Sequence, residues 1–292
     1  MASEPTLRPR RSVLYMPAAN ERALEKAKTI AADAIIFDLE DAVAPDAKDS
    51  ARVNAVAAAS SGEYGRRELT IRCNGLETPW GVDDLAAAAQ SGAAAVVIPK
   101  VGSVAQLDQV SDRLDRAGAP ADMRIWAMLE TPSAILDARA LASHWRVGVL
   151  VMGTNDLARE LRSTLTAPGR HPLVPHLATA LLAAREAGRV ILDGVYNDVR
   201  DDAGFRAECE QGFQMGFDGK TLIHPGQVDI CNDVWAPSAD DVEQARGLIA
   251  AFEEGLAAGK GVVTFNGRMI ENLHVANAQR LLAVADAIAA LG

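Results

Sequence analysis

Glu130 and Asp156 carry the first chemical signal in this chain. Each stands just beyond an apolar, strand-like run, at residues 124–129 and 147–152, so two carboxylates close successive strands. Taken singly, either one has a structural explanation. Glu130 precedes a helix opening at Pro132, where a carboxylate is favoured by the helix dipole, and Asp156 suits the start of a short helix. As a pair they form a hard, all-oxygen site for Mg²⁺, which takes one or two protein carboxylates and fills its octahedron with water and substrate oxygens. The sequence holds no His/Cys cluster that would favour a softer metal.

Other polar residues fall in equivalent positions. Glu40 and Asp41 follow the run at residues 34–38, Arg72-Cys73-Asn74 end the run at 69–73, and Lys100 follows the run at 94–99. Asp38, Glu40 and Asp41 would repel one another without a nearby cation, arginine or metal-bound water. Glu40 and Asp41 are therefore read as acceptors for water on the metal. Arg72 sits within a strand and needs an anionic partner there. Glu40 is a structural candidate. A substrate carboxylate, or a developing enolate oxygen, is the functional one.

The elements that must position these groups alternate along the chain. Strand-like runs at residues 12–16, 34–38, 69–73, 94–99, 124–129, 147–152, 190–192 and 219–223 are separated by helical stretches at 20–31, 48–59, 79–90, 104–117, 132–143, 172–187 and 201–215. Two more helices are expected at 239–258 and 270–291. Strict alternation implies parallel strands with helical crossovers. A doubly wound open sheet uses the same pattern with fewer strands. Eight units match the size of an α/β (β/α)8 TIM barrel, and polar groups at five consecutive strand ends would converge on its carboxyl-terminal mouth. The expected layout is a catalytic barrel over residues 1–235, followed by a C-terminal helical extension, a lid, over 236–292.

Composition narrows the class further. The 292 residues carry 29 basic and 39 acidic side chains, a net charge of −10, which argues against a nucleic-acid partner. No apolar run is long enough to span a membrane, and the amino terminus lacks the order of a secretory signal. Three scattered cysteines without metal spacing fit a reducing cytoplasm. Gly219-Lys220-Thr221 lacks the first glycine of a phosphate-binding loop, because position 214 is Gln214. No GxGxxG, HExxH or nucleophile elbow occurs.

The motifs Arg11-Ser-Val-Leu-Tyr-Met-Pro17, Phe37-Asp-Leu-Glu-Asp41, Lys48-Asp-Ser-Ala-Arg52, Ile71-Arg-Cys-Asn74, Pro99-Lys-Val101, Glu130-Thr131 and Asn155-Asp156 occur in that order. Asp193-Gly-Val-Tyr196, Gly216-Phe-Asp-Gly-Lys220, Ile223-His-Pro225 and Gly267-Arg-Met-Ile-Glu-Asn272 follow. Over nearly its whole length the chain resembles the citrate lyase β-subunit-like (CitE-like) acyl-CoA lyases of the HpcH/HpaI aldolase/citrate lyase family. The resemblance implies a trimeric or hexameric TIM barrel with Mg²⁺ held by Glu130 and Asp156. It also implies that Arg72 binds the keto-acid fragment and that basic side chains hold coenzyme A, with Arg11, Arg22, Lys26 and Lys48 as candidates. The resemblance further implies a C-terminal acidic residue supplied to a neighbouring subunit's site, normally aspartate and matched here by Glu271. The extra methylene of glutamate moves the carboxylate by roughly an ångström or more, and such a displacement can change a rate by about 10²-fold.

The activity this implies is Mg²⁺-dependent carbon–carbon cleavage of a 3-hydroxyacyl-CoA of the malyl-, β-methylmalyl- or citramalyl-CoA type, giving an acyl-CoA and a keto acid. Arg72 would stabilise the oxygen that gains charge, and Glu271 would act as acid/base. Two alternatives stand beside it. One is a malyl-CoA thioesterase on the same metal site, with Glu271 activating water. The other is a citrate lyase β-type subunit working only within a complex.

Overall fold

Eight short strands close into a parallel barrel: β1 (Ser12–Pro17), β2 (Ala34–Asp38), β3 (Glu68–Arg72), β4 (Ala95–Ile98), β5 (Arg124–Leu129), β6 (Val147–Met152), β7 (Val190–Asp193) and β8 (Gly219–Leu222). Each pairs with the next, and β8 returns to β1 through Ser12↔Lys220, Val13↔Thr221 and Leu14↔Leu222. These observations come from a computed structural model that describes residues 8–165, 169–259 and 262–291. This compact unit spans Arg10–Val234.

Helices follow the strands: α1 (Glu21–Ala27), α2 (Lys48–Ser60), α3 (Gly81–Ala89), α4 (Val104–Arg116), α5 (Pro132–Leu136), α6 (Ala138–Ser143), α7 (Thr154–Glu160), α8 (Val174–Glu186), α9 (Asp202–Met215) and α10 (Val228–Val234). Side chains of Asn20, Ser103, Thr131 and Asp201 cap α1, α4, α5 and α9 by accepting from backbone N–H groups. The single helix expected over 132–143 is two, because Asp137 leaves helical geometry at φ −99°, ψ 10°.

The barrel interior follows the two-residue period of its strands. Val13, Ala34, Ile36, Ala95, Val97, Trp126, Met128, Val149, Val151 and Leu192 form one buried cluster, with Tyr15 and Val190 packed against it. Continuing that period toward the carboxyl ends brings Asp38 after Ile36, Glu130 after Met128 and Gly153 after Val151. The apolar core thus ends in a polar rim at the mouth. The opposite end is closed by Arg10, whose guanidinium lies over Trp126 at 5.5 Å and donates twice to Glu68.

The two strands weakest in sequence are held by charge. Asp193 on β7 and Lys220 on β8 are fully buried and bond at 2.9 Å, joined by Arg170 and by Glu208 from α9. Gly219 is required where β8 meets the chain at Arg10, since a Cβ there would lie 1.8 Å from the Arg10 carbonyl oxygen.

A second compact unit begins at Trp235. It holds α11 (Ala239–Ala257) and α12 (Asn272–Ala289), as expected, together with an antiparallel hairpin of β9 (Val263–Phe265) and β10 (Arg268–Ile270). The hairpin lies between the two helices of the expected helical extension. Its two-residue turn is Asn266-Gly267, both with positive φ, 46° and 75°, which suits asparagine and glycine. Among the described residues, no helix is long and apolar enough to cross a membrane.

Candidate active site

The strand ends deliver Tyr15, Asp38, Arg72, Glu130 and Asp156 to one cavity of ≈ 330 Å³ at the barrel mouth, with Asp41 at its edge. Glu130 is 1% exposed. Its Oε1 accepts the backbone N–H of Lys100 at 2.6 Å. Its Oε2 faces Gly153, where a Cβ would sit 2.3 Å away. The glycine therefore leaves a space on one side of this oxygen. Burial, reinforced by the charges of Glu40 and Asp156, pushes the Glu130 carboxyl up to about 7. Asp156 lies in the first turn of α7 and pairs with Arg159 at 2.6 Å.

Arg72 points inward from the end of β3. Its Nε and Nη2 donate to the two oxygens of Asp38, both at 2.6 Å, and Nη1 lies 2.8 Å from Glu40 Oε2. Asp38 is thus the principal partner of Arg72. Glu40, the expected one, is secondary. Asp38 also accepts the backbone N–H groups of Glu40 and Ala42, so it fixes the arginine and the acidic loop together. A bidentate pair of this kind sets the plane of the guanidinium. Burial opposes the Arg72 charge, but Asp38 more than offsets it and its pKa lies well above the ordinary value.

Glu40 meets two cations rather than open solvent: Lys100 Nζ donates to Oε1 at 2.6 Å, and Arg72 faces Oε2. Burial raises its pKa against the pull of those cations. Asp41 is exposed at the cavity edge, with Arg72 Nη1 at 3.4 Å. Lys100 adopts a left-handed backbone, φ 50°, which lets one residue serve Glu130 with its amide and Glu40 with its ammonium.

The four basic residues expected to hold coenzyme A separate. Arg11 precedes β1 at the opposite end of the barrel, paired with Asp33 at 2.8 Å, so it does not face the mouth. Lys48 is buried, and its ammonium donates to the carbonyls of Leu39 and Glu40 and to Asn74 Oδ1. With three donors on three protein acceptors, it has none for a phosphate. Arg22 and Lys26 are exposed on α1, which leaves the mouth end of β1. Glu271 is exposed and stands immediately before α12 in the second unit, where its N–H donates to His274 Nδ1 at 3.0 Å.

Among the described residues, no group of three or more His, Cys, Asp or Glu side chains could hold a metal. Glu130 and Asp156 line the cavity together, and two carboxylates with the remaining coordination left to water and substrate would be a donor set suited to Mg²⁺.

The family model for HpcH/HpaI aldolase/citrate lyase matches residues 11–225, the whole of the barrel sequence that builds this cavity. The chain belongs to that family. Within the HpcH/HpaI family it is 51% identical over 284 residues to a (3S)-malyl-CoA thioesterase of Cereibacter sphaeroides, covering 97% of both chains. An L-malyl-CoA/beta-methylmalyl-CoA lyase from the same species is 33% identical over 310 residues, covering 98% of each. Among solved structures, CitE of Mycobacterium tuberculosis, in complex with magnesium, acetoacetate and coenzyme A, matches with a TM-score of 0.78 at 28% identity, over 94% of this chain and 97% of that one.

Proposed function

We propose that the protein is a Mg²⁺-dependent thioesterase that hydrolyses a malyl-CoA-class 3-hydroxyacyl-CoA to the free hydroxy acid and coenzyme A. The observation that carries this reading is 51% identity along nearly the full length to malyl-CoA thioesterases. It supports hydrolysis, the alternative drawn from the sequence, over carbon–carbon cleavage. The cleavage reading keeps the support of the malyl-CoA lyase relative at 33% identity.

The residues divide the work as follows. Glu130 and Asp156 would hold Mg²⁺, which when bound supplies Lewis-acid polarisation of substrate oxygens. The backbone N–H of Lys100 holds Glu130 Oε1, so the carboxylate presents Oε2 toward the space beside Gly153. Arg72, kept in plane by Asp38, receives a carboxylate of the acyl group. Arg22 and Lys26 contact the phosphates of coenzyme A. Glu271, contributed by a neighbouring subunit of a trimer or hexamer, takes a proton from the attacking water.

Product analysis tests this. With malyl-CoA and Mg²⁺, malate and free coenzyme A should accumulate in equal amounts without glyoxylate. Stoichiometric glyoxylate and acetyl-CoA would establish the lyase instead.

A further inference from the structure

Tyr15 stands inside the same cavity with almost nothing to bond. Its ring lies against the Arg72 guanidinium at 4.8 Å. Its hydroxyl reaches the Met128 thioether at 3.9 Å, and a thioether is a weak acceptor. Four carboxylates, Asp38, Asp41, Glu130 and Asp156, line the cavity with it, yet none accepts this hydroxyl. Burial pushes the phenol well above its ordinary range, so it remains a neutral O–H donor at any working pH.

A half-buried donor beside a buried cation defines a place for an anion. Arg72 is committed through Nε and Nη2 to Asp38 and turns Nη1 toward Glu40 and Asp41, with five N–H groups in all to share among them and a ligand. The phenol supplies a second, differently oriented donor next to the guanidinium without adding charge. A planar carboxylate is suited to receive both.

We propose that Tyr15 is a substrate-binding residue whose hydroxyl, with Arg72, recognises the free carboxylate of the acyl group and selects for dicarboxylic hydroxyacyl thioesters. This rests on the thioesterase reading and specifies the substrate class of that site. Tyr15→Phe removes one oxygen and no protein hydrogen bond stronger than the thioether contact, so the melting temperature should be unchanged.

The test pairs direct binding with kinetics. In Mg²⁺, calorimetry should show malate bound about tenfold or more weaker by Tyr15→Phe than by the parent protein, the loss expected for a hydrogen bond to a charged group. KM for malyl-CoA should rise similarly with a smaller change in kcat. KM for 3-hydroxybutyryl-CoA, which lacks the free carboxylate, should not change. Unaltered malate affinity in Tyr15→Phe would overturn the proposal, as would a parent protein that binds no malate. Malate binding that weakens in the variant, from a parent protein that does not hydrolyse malyl-CoA, would support the Tyr15 site and reject the thioesterase reading.

Discussion

Lys100 donates its backbone N–H to Glu130 Oε1 at 2.6 Å from a left-handed conformation, φ 50°. Such geometry in a residue other than glycine costs of order 1–3 kcal/mol and persists where its surroundings require it. Lys100→Gly and Lys100→Ala both delete the contact with Glu40, but only glycine accepts this backbone freely. Glycine should therefore be the more stable variant by about 1 kcal/mol in denaturant unfolding. Equal stabilities would show that no strain is stored there.

Gly153→Ala tests the space beside Glu130. A Cβ at residue 153 would approach Glu130 Oε2 to 2.3 Å and its Cβ to 2.4 Å, so the carboxylate must shift. Overpacking of this kind costs about 1–3 kcal/mol. Mg²⁺ affinity measured by calorimetry and hydrolytic rate should fall together. A variant with parental affinity would mean that the space has no part in holding the cation.

The pH response of Glu130 has a defined sign. Burial lifts this group from 4.5 to about 7, so between those values the folded state binds more protons than the unfolded chain. Its contribution therefore makes stability fall as pH rises through that window. Glu130→Gln should remove this slope, seen by comparing melting temperatures of the two proteins from pH 4.5 to 7. Mg²⁺ competes with the same proton, so its affinity for the parent protein should rise through pH 7 and level above it.

Asp193 carries the opposite sign. Burial alone would raise its pKa, but Lys220 and Arg170 more than offset that and hold it at about 2, below its ordinary 3.8. The stability it contributes is complete above pH 3.8 and is lost as pH falls toward 2. Asp193→Asn leaves two buried cations short of a partner, a change that costs about 3–5 kcal/mol. Urea unfolding at pH 7 checks the loss; a cost below 1 kcal/mol, roughly a surface ion pair, would contradict it.

Much of the barrel was legible because β1 to β6 are apolar runs ended by polar residues, and the period of each strand points those ends inward. β8 was faint because its inward–outward pattern is interrupted by Lys220, a charge that only tertiary pairing with Asp193 and Glu208 makes tolerable. Asp38 was legible in principle. It continues the inward series Ala34, Ile36, but its neighbours Glu40 and Asp41 drew attention as a denser cluster. Arg11 and Lys48 were misread for a different reason. A one-dimensional motif does not tell which end of a barrel a residue occupies, or whether backbone carbonyls will enclose its ammonium. The hairpin β9–β10 had a signal in Asn266-Gly267, overshadowed by two long helical stretches on either side.

The claim on which the rest depends is that Glu130 and Asp156 together hold the divalent cation needed for hydrolysis. Calorimetric titration with Mg²⁺, with malyl-CoA hydrolysis followed in the same preparations, tests it most directly. One Mg²⁺ per chain should bind to the parent protein and to neither Glu130→Gln nor Asp156→Asn, with turnover lost in both variants and in excess EDTA. Undiminished turnover in EDTA, or parental Mg²⁺ binding by either variant, would contradict it.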